Sequence, residues 1–432
     1  MGVEQNLSTT SLLESGQGWR VWTLTALIGY VVFCTTLRHS QKRVMEAKFN
    51  YTDRASLAEM TLKDAHAIET WLAEQQFPSV FSAAIFFALF KHSLNLEAAG
   101  RDAPVRVLLT NMTMRPPGSP QAKLAVARTN YLHNIYRRTG RISNDDMLYT
   151  LSLFTLQPMR WTAMYDWRPL SDMERCALAT CFKVWGEDLE ITYEALPSHS
   201  QGWSDGLHWL DELDSWSQRY EEHHVEVSDS NVEVVNATRE LVLCQIPRGL
   251  HGVVWGIVAI LLGQRVRRAM RIPEPSYGLE LFFNSMITLR KYILRYACPP
   301  RPYFLRRVYN CEQPDRDTGR YQSQRWLGRP WYVKTSMLDR WGLPAWMLWI
   351  NGTKSTTVFD NKRFMPEGYL IEDVGPEMHI GKGREEMDNT VSVLAEDLMY
   401  YERRQDCRLR SPTSPTTIDG GALYTEQSKE QL

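Results

Sequence analysis

The chain has 432 residues, 44% hydrophobic and 23% charged, with a formal net charge of -1. That length suits one large globular domain or two modest ones, and the balanced charge gives no global field favouring nucleic acid. The seven cysteines are scattered and odd in number, and Cys176 and Cys181 are too far apart for a C-x-x-C. Neither a disulfide framework nor a zinc site is expected, and the main domain reads as belonging to a reducing compartment. Fifteen Trp and nineteen Tyr suit a large apolar ligand, a membrane interface or simply a packed core.

Residues 1–17 are polar and expected to be loose. Val21–Leu37 carries no charge and, as a helix, spans about 25 Å, slightly short of a hydrocarbon core of about 30 Å. Trp19 and a snorkelling Arg20 extend it, so residues 18–38 are expected to form a transmembrane anchor. A signal peptide is disfavoured, because no basic residue precedes Arg20 and no A-x-A follows. Arg38, Lys42, Arg43 and Lys48 follow the segment, which places the N-terminus in the lumen and the body, 39–407, in the cytosol. The N-x-S/T sites at Asn50, Asn111, Asn236 and Asn351 would then stay unglycosylated, and Asn6 is lumenal but close to the terminus.

Thr61–Gln75 is expected as an amphipathic helix and residues 79–90 as a buried one, too short to span. Pro104, Pro116, Pro117, Gly118 and Pro120 break 96–121 into a loop with a short helix or strand inside. Ala122–Phe154 reads as helix, turn, helix. Ser143 caps the second of these, expected over Asp145–Met164, and Pro158–Leu170 links it to the next element. Ser171 and Glu174 form a capping box for a helix over 172–191. The loop at Pro197–Gly202 leads to a long amphipathic helix at 204–224, apolar at Leu207, Leu210, Leu213, Trp216 and Tyr220. A helix at 232–245 follows. Leu250–Leu262 reads as a core helix, with a second span or re-entrant segment as the alternative. Arg265, Arg267, Arg268 and Arg271 then suit a solvated helix end, or phospholipid or cofactor carboxylates. Residues 277–297 form a further helix, closed by prolines. Residues 303–385 are irregular apart from an apolar run at Leu343–Ile350. A last helix near 385–402 precedes a disordered tail from 408. The expected fold is all-α: a single helical domain behind the anchor.

No G-x-G-x-x-G, Walker loop, H-E-x-x-H, G-x-S-x-G, facial triad or cytochrome P450 cysteine loop is present. His133 is the histidine of interest. On a helix its neighbours are Val126, Thr129, Asn130 and Arg137, with Arg128 and Arg138 close by. An imidazole in apolar surroundings with arginines a turn away suits haem, the arginines meeting propionates, but a core histidine bonded to a carbonyl is the commoner case. Asp145 and Asp146 read as helix caps, and Asp146 with Thr150 could brace the His133 helix. His251 is the second candidate ligand, or a helix-start histidine. His223 and His224 suit a helix end, and His208 is given no role. Glu187, Asp188 and Glu190, like Asp205, Asp211, Glu212 and Asp214, read as solvated faces.

The stretch RTNYLHNIYRRTGRISNDDMLYTLSLF (128–154) resembles the R-x-x-x-L-H … G-x-I-x-x-x-D-L-x-x-T-L segment of the fungal ER-bound oxygenase family typified by mpaB, which is related to the latex-clearing rubber oxygenases. The likeness extends to FNYTDRASLAEMT (49–61), residues 167–191 and 205–221, RKYILRYACPPRP (290–302) and PEGYLIEDVGP (366–376). It implies an all-α fold and oxidative cleavage of C=C bonds in isoprenoid chains, with O2 as co-substrate. It also implies that His133 is the proximal ligand of haem b, with Arg128, Asp146 and Thr150 at motif positions; Arg137, one turn from His133, is the further cofactor-binding candidate. On the distal side the rubber enzymes carry an arginine, a lysine and a threonine. The equivalent stretch, RDAPVRVLLT, offers Arg101, Arg106 and Thr110 but no lysine. The resemblance further implies a lipophilic, prenylated meroterpenoid- or polyketide-like substrate from fungal secondary metabolism, such as mycotoxin or terpenoid synthesis. The ER membrane and other pathway enzymes would be partners. An isomerase or cyclase on the same scaffold, or a non-catalytic scaffold for pathway enzymes, are the rival readings.

Overall fold

The computed structural model describes residues 7–92, 102–224, 246–308, 313–323, 331–334 and 364–404, with isolated positions between 232 and 243 and between 337 and 346. Among the described residues the fold is all-α, with no strand and a single isolated bridge, Tyr321 to Tyr369. Arg101, Asn351, Cys244, Cys311, Cys407 and the tail from 408 lie outside the described residues, as does most of the run Leu343–Ile350.

The first helix, α1, runs Leu7–Phe49, so residues 7–17 are helical rather than loose. Its uncharged part exposes Trp22, Leu24, Leu27, Ile28 and Phe33, as a membrane anchor would. The core lies farther along the chain. After α2 (Arg54–Ala58), the helices α3 (Leu62–Trp71), α7 (Asn144–Tyr165), α8 (Asp172–Asp188) and α9 (Gly206–His224) bury Ile68, Leu148, Leu178, Trp209 and Leu213 together. Thr61 caps α3 by accepting from the Asp64 amide, and a π turn at Leu72–Gln76 carries the helix to Pro78. Helix α4 (Pro78–His92) packs along α7, with Phe87 against Trp161 at 4.7 Å.

One expectation is corrected in this region and another is made specific. The linker expected at Pro158–Leu170 begins only after Tyr165, because α7 continues through Pro158. The proline removes one N–H, but buried Trp161 and Thr162 beyond it keep the helix packed on α4, and the Thr162 hydroxyl donates to the Pro158 carbonyl (2.6 Å). The short element expected within 96–121 is a 12-residue helix, α5 (Asp102–Thr113). Pro104 sits in its first turn, where a missing N–H costs nothing.

Several acidic residues assigned to solvated faces are structural. Asp205 is 2% exposed, accepts from the His208 amide at the start of α9 and pairs with Arg54 (2.9 Å). Glu187 pairs with Lys183, which is 3% exposed and lies over Tyr193 and Trp203. Glu212 accepts from Ser198 and from the Trp203 indole.

Helix α6 spans Pro120–Arg137. Beyond α9, the described positions between 232 and 243 are helical. Helix α10 (His251–Ala269) buries one face through Trp255, Val258, Leu262 and Val266, as a core helix does, and kinks at Gly263 (φ 76°). Its other face is exposed at Val253, and the segment is long and apolar enough to cross a bilayer. Arg265 pairs with Glu222 and Arg267 with Glu274. Helix α11 (Tyr277–Tyr292) continues through a π turn at Ile293–Ala297, and α12 spans Arg384–Arg404. Cys34, Cys176, Cys181 and Cys298 are free thiols.

Candidate functional site

Ser119 caps α6 by accepting from the Ala122 amide, and Pro120 pre-sets the first turn. The helix lies among α5, α12 and the turn at Ile371–Asp373. Its face toward α5 is apolar: Ala125 and Val126 pack with Val107, Leu108 and Met112.

His133 is half-buried on this helix, with its Nδ1 shut off from solvent. Thr129, one turn back, approaches the Met112 sulfur of α5 at 3.8 Å and donates to the Ala125 carbonyl. Asn130 donates to the Asp188 carbonyl (2.9 Å), and Arg137, one turn on, reaches the Glu190 carboxylate and carbonyl, each at 3.2 Å. The His133 face of α6 is therefore framed by α5 and the C-terminal end of α8. Glu190 holds a left-handed backbone (φ 58°) there, and its side chain is exposed, as expected of a solvated face.

Arg128 is 0% exposed. Its Nε donates to the Val374 carbonyl (2.8 Å), one terminal nitrogen to Lys382 (3.1 Å) and the other to His379 (3.0 Å). Burial pulls its pKa below the usual guanidinium value, and the nearby Asp373 carboxylate works the other way. The three carbonyls bind segment 374–384 over α6. That segment turns at Gly375 (φ 131°) and Gly383 (φ 79°), where a Cβ would strike Leu132 and the Tyr131 ring. Arg138 extends the contact to Glu386 of α12 (3.1 Å). This clamp was not read from the sequence. The glycines hint at close approach, but nothing local reveals that a motif arginine reaches some 250 residues along the chain.

Among the distal candidates, Arg106 and Thr110 share one face of α5, and the Thr110 hydroxyl donates to the Arg106 carbonyl (2.6 Å). Asp146 forms the expected capping box with Ser143, while its other oxygen accepts from the Tyr220 hydroxyl of α9 (2.6 Å). The brace expected toward the His133 helix thus runs to α9, because the first turn of α7 faces that helix. Burial raises the Asp146 pKa, but the bonds from Tyr220 and Ser143 outweigh it and hold the carboxyl below its usual range. Thr150 bonds back to the Asp146 carbonyl (2.8 Å). Asp145 lies in the first turn of α7.

Among the other histidines, three sit on local carbonyls: His251 on Ile246 (2.8 Å), His223 on Arg219 and His224 on Tyr220. His208 lies beside Glu212 (3.2 Å). Among the described residues, no group of three or more His, Cys, Asp or Glu is placed to hold a metal ion.

The profile of the family described as ER-bound oxygenase mpaB/B'/rubber oxygenase, catalytic domain, matches residues 101–290. The chain is 35% identical over 384 residues to the ER-bound oxygenase mpaB' of Penicillium brevicompactum, covering 85% of this chain and 90% of that protein. It is 34% identical over 342 residues to the ER-bound oxygenase mpaB of the same organism, covering 76% and 81%. It is also 33% identical over 283 residues to the ER-bound oxygenase mpaB of Penicillium roqueforti, covering 62% and 95%.

Proposed function

Because the chain belongs to the ER-bound oxygenase mpaB family, we propose that it is a membrane-bound oxygenase using O2 at a haem b iron held by His133. The observation that carries the reading is the 35% identity to an ER-bound oxygenase along 85% of the chain. The domain layout proposed with it is a short lumenal N-terminus (1–17), an anchor (18–38), a cytosolic catalytic domain (39–407) and a tail (408–432).

The donor set at His133 fits a haem. A haem would ask the protein for a single imidazole to hold its iron, whereas a bare catalytic zinc asks for about three ligands. His133 supplies that imidazole from a half-buried helix face with Thr129 and Val126 one and two turns back. Arg137, on the same face, is the guanidinium proposed to meet a propionate. Arg128 binds at one remove: by holding segment 374–384 it fixes the helix that presents His133. Bound there, haem supplies O2 activation for oxygenation or cleavage of a C=C bond in a prenylated or otherwise lipophilic intermediate of fungal secondary metabolism. Arg101, Arg106 and Thr110 are the further groups proposed, as those that would donate to a polar reacting atom. The apolar residues between α5 and α6, Val107, Leu108 and Val126, exclude water.

The test is the absorption spectrum and iron content of the detergent-purified protein. A Soret band that disappears in His133→Ala, with helical circular dichroism retained, is the expected result. A colourless, iron-free but active protein would overturn the haem reading and leave an isomerase or cyclase. Stable complexes with pathway enzymes and no turnover would favour a scaffold. Topology has its own readout. Asn50 is exposed at the end of α1, whereas Asn111 is fully buried and cannot report. Glycosylation of Asn50 or of a C-terminal tag in the ER would place the body in the lumen.

A further inference from the structure

Helix α11 inverts the ordinary pattern of a surface helix. None of its residues is buried. Its charged side chains near the C-terminus face the protein: Arg290 donates to the Tyr165 carbonyl (2.6 Å) and toward Asp166 (3.4 Å), and Lys291 to the Ala163 carbonyl (3.3 Å). At about 100° per residue, the opposite half of the helix carries Leu281, Phe282, Met286, Leu289 and Tyr292, all exposed. The polar residues among them, Ser285 and Thr288, are uncharged. The turn at Tyr303–Leu305 adds a second exposed apolar group, with Phe304 at 80%. An apolar surface of this extent marks an interaction site.

Its position says with what. The π turn that ends α11 is seated on α1. Tyr30 donates to the Ala297 carbonyl (2.9 Å), and Arg38 donates to the carbonyls of Cys298 (2.9 Å) and Pro299 (3.4 Å), with Cys34 buried between them. These contacts occupy the last two turns of the apolar stretch Val21–Leu37. That stretch measures about 25 Å against a hydrocarbon core of about 30 Å. If α1 crosses the bilayer, no part of the stretch can be left outside it. Whatever sits on Tyr30–Leu37 must then share its depth.

The chemistry agrees. Irregular backbone at membrane depth must have its carbonyls satisfied. Here those freed ahead of Pro299 and Pro300 are taken by Tyr30 and Arg38, which come from the anchor itself. Exposed Arg295 and Arg301 flank the apolar face, as cations do beside lipid phosphates, and Tyr277 and Tyr292 suit the headgroup level.

We infer that the outer face of α11 and the Tyr303–Leu305 turn are embedded in the lipid bilayer beside α1, so that the body is held on the membrane by a surface as well as by a tether. The inference rests on the proposed anchor. An embedded face would also bring the helical body to the layer where a lipophilic substrate dissolves.

The test uses the full chain in phosphatidylcholine/phosphatidylserine nanodiscs, with p-benzoylphenylalanine replacing Phe282, Phe304, Ile28 or Asp211 singly. All four positions are exposed, and circular dichroism checks folding. Irradiation should add one lipid mass at Ile28, Phe282 and Phe304, and none at Asp211. Lipid at Ile28 but not at Phe282 or Phe304 overturns the embedded face and leaves the anchor intact. No lipid at Ile28 overturns the anchor and the inference with it. A cross-link from Phe282 to a second copy of the chain, in place of lipid, assigns the face to a dimer and overturns the proposal.

Discussion

Helices α6 and α11 are similar in length, 18 and 16 residues, and end in similar basic residues, yet they sit at opposite extremes. On α6 a charged side chain is entirely buried, and polar side chains reach α5, α8, α12 and segment 374–384. On α11 no residue is buried, and a row of apolar side chains faces outward. Buried charge and exposed hydrophobes are the informative departures from ordinary burial. The first locks the helix that carries His133. The second leaves a face that only an apolar environment can complete. Arginine does opposite work in the two: Arg128 gathers a distant segment inward, while Arg290 holds its helix by the Tyr165 carbonyl and Asp166 so that the apolar face is presented.

The largest effect should follow from breaking the α6 side. Arg128→Ala leaves the carbonyls of Val374, His379 and Lys382 without their donor. Leaving a buried acceptor without its donor costs about 1–3 kcal/mol per group. Thermal unfolding in detergent should show that loss, with new proteolytic cleavage within 374–384. Arg128→Lys keeps the charge but not the three-way fork, and should recover only part of the stability. A variant that loses cofactor absorption while keeping full stability would show instead that Arg128 serves the cofactor directly. A second break is smaller. Gly383→Ala places a Cβ against the Tyr131 ring at a left-handed φ, and overpacking of this kind costs about 1–3 kcal/mol. It should loosen the same segment in the protease assay while leaving the carbonyl contacts of Arg128 chemically possible.

The two helices also differ in how far the sequence revealed them. The existence of α11 and its closing prolines were legible in the sequence. Its exposure was not, because an apolar arc reads the same whether it meets protein or lipid. For α6, the helix and the placement of His133 were legible, since both are local, while its Ser119 cap and first turn were read as part of the preceding loop. The destination of Arg128 was not legible, because its partners lie on carbonyls about 250 positions away and backbone carbonyls carry no residue signature. The same limit explains Asp205, which was read as solvated because acidic runs usually are and is held by Arg54 from a distant part of the chain. Pro158 misled in the other direction, as a local breaker overruled by the α4 interface.

Between these extremes lies the start of α7, where capping and tertiary contact act on one carboxyl. Asp146→Asn weakens both the Ser143 box and the bond from Tyr220, at a cost of about 1–2 kcal/mol near neutral pH. The sign of the pH dependence is fixed by the lowered pKa. The carboxylate's contribution is present above the unfolded value of about 3.9 and is lost as pH falls through the folded value below it. The gap between wild type and Asp146→Asn, read by urea unfolding, should therefore narrow below about pH 4. A gap that stays constant with pH would mean that shape, not charge, sets the cap.

The smallest effect is the one that defines α11. Leu289→Gln removes an exposed apolar side chain from the outer face. If nothing in the chain depends on that face, unfolding in detergent should change by no more than about 0.5 kcal/mol, the ordinary range for surface positions. The same size of change at Leu148, fully buried in the α3/α7/α8/α9 core, is excluded by cavity and polar-burial costs of about 2–5 kcal/mol. A loss at Leu289 approaching that range would mean that part of the chain covers α11. The contrast with α6 would then reflect a covering segment rather than an outward-facing surface. A loss within the surface range, beside a clear loss at Arg128, keeps the contrast as a property of where each helix faces.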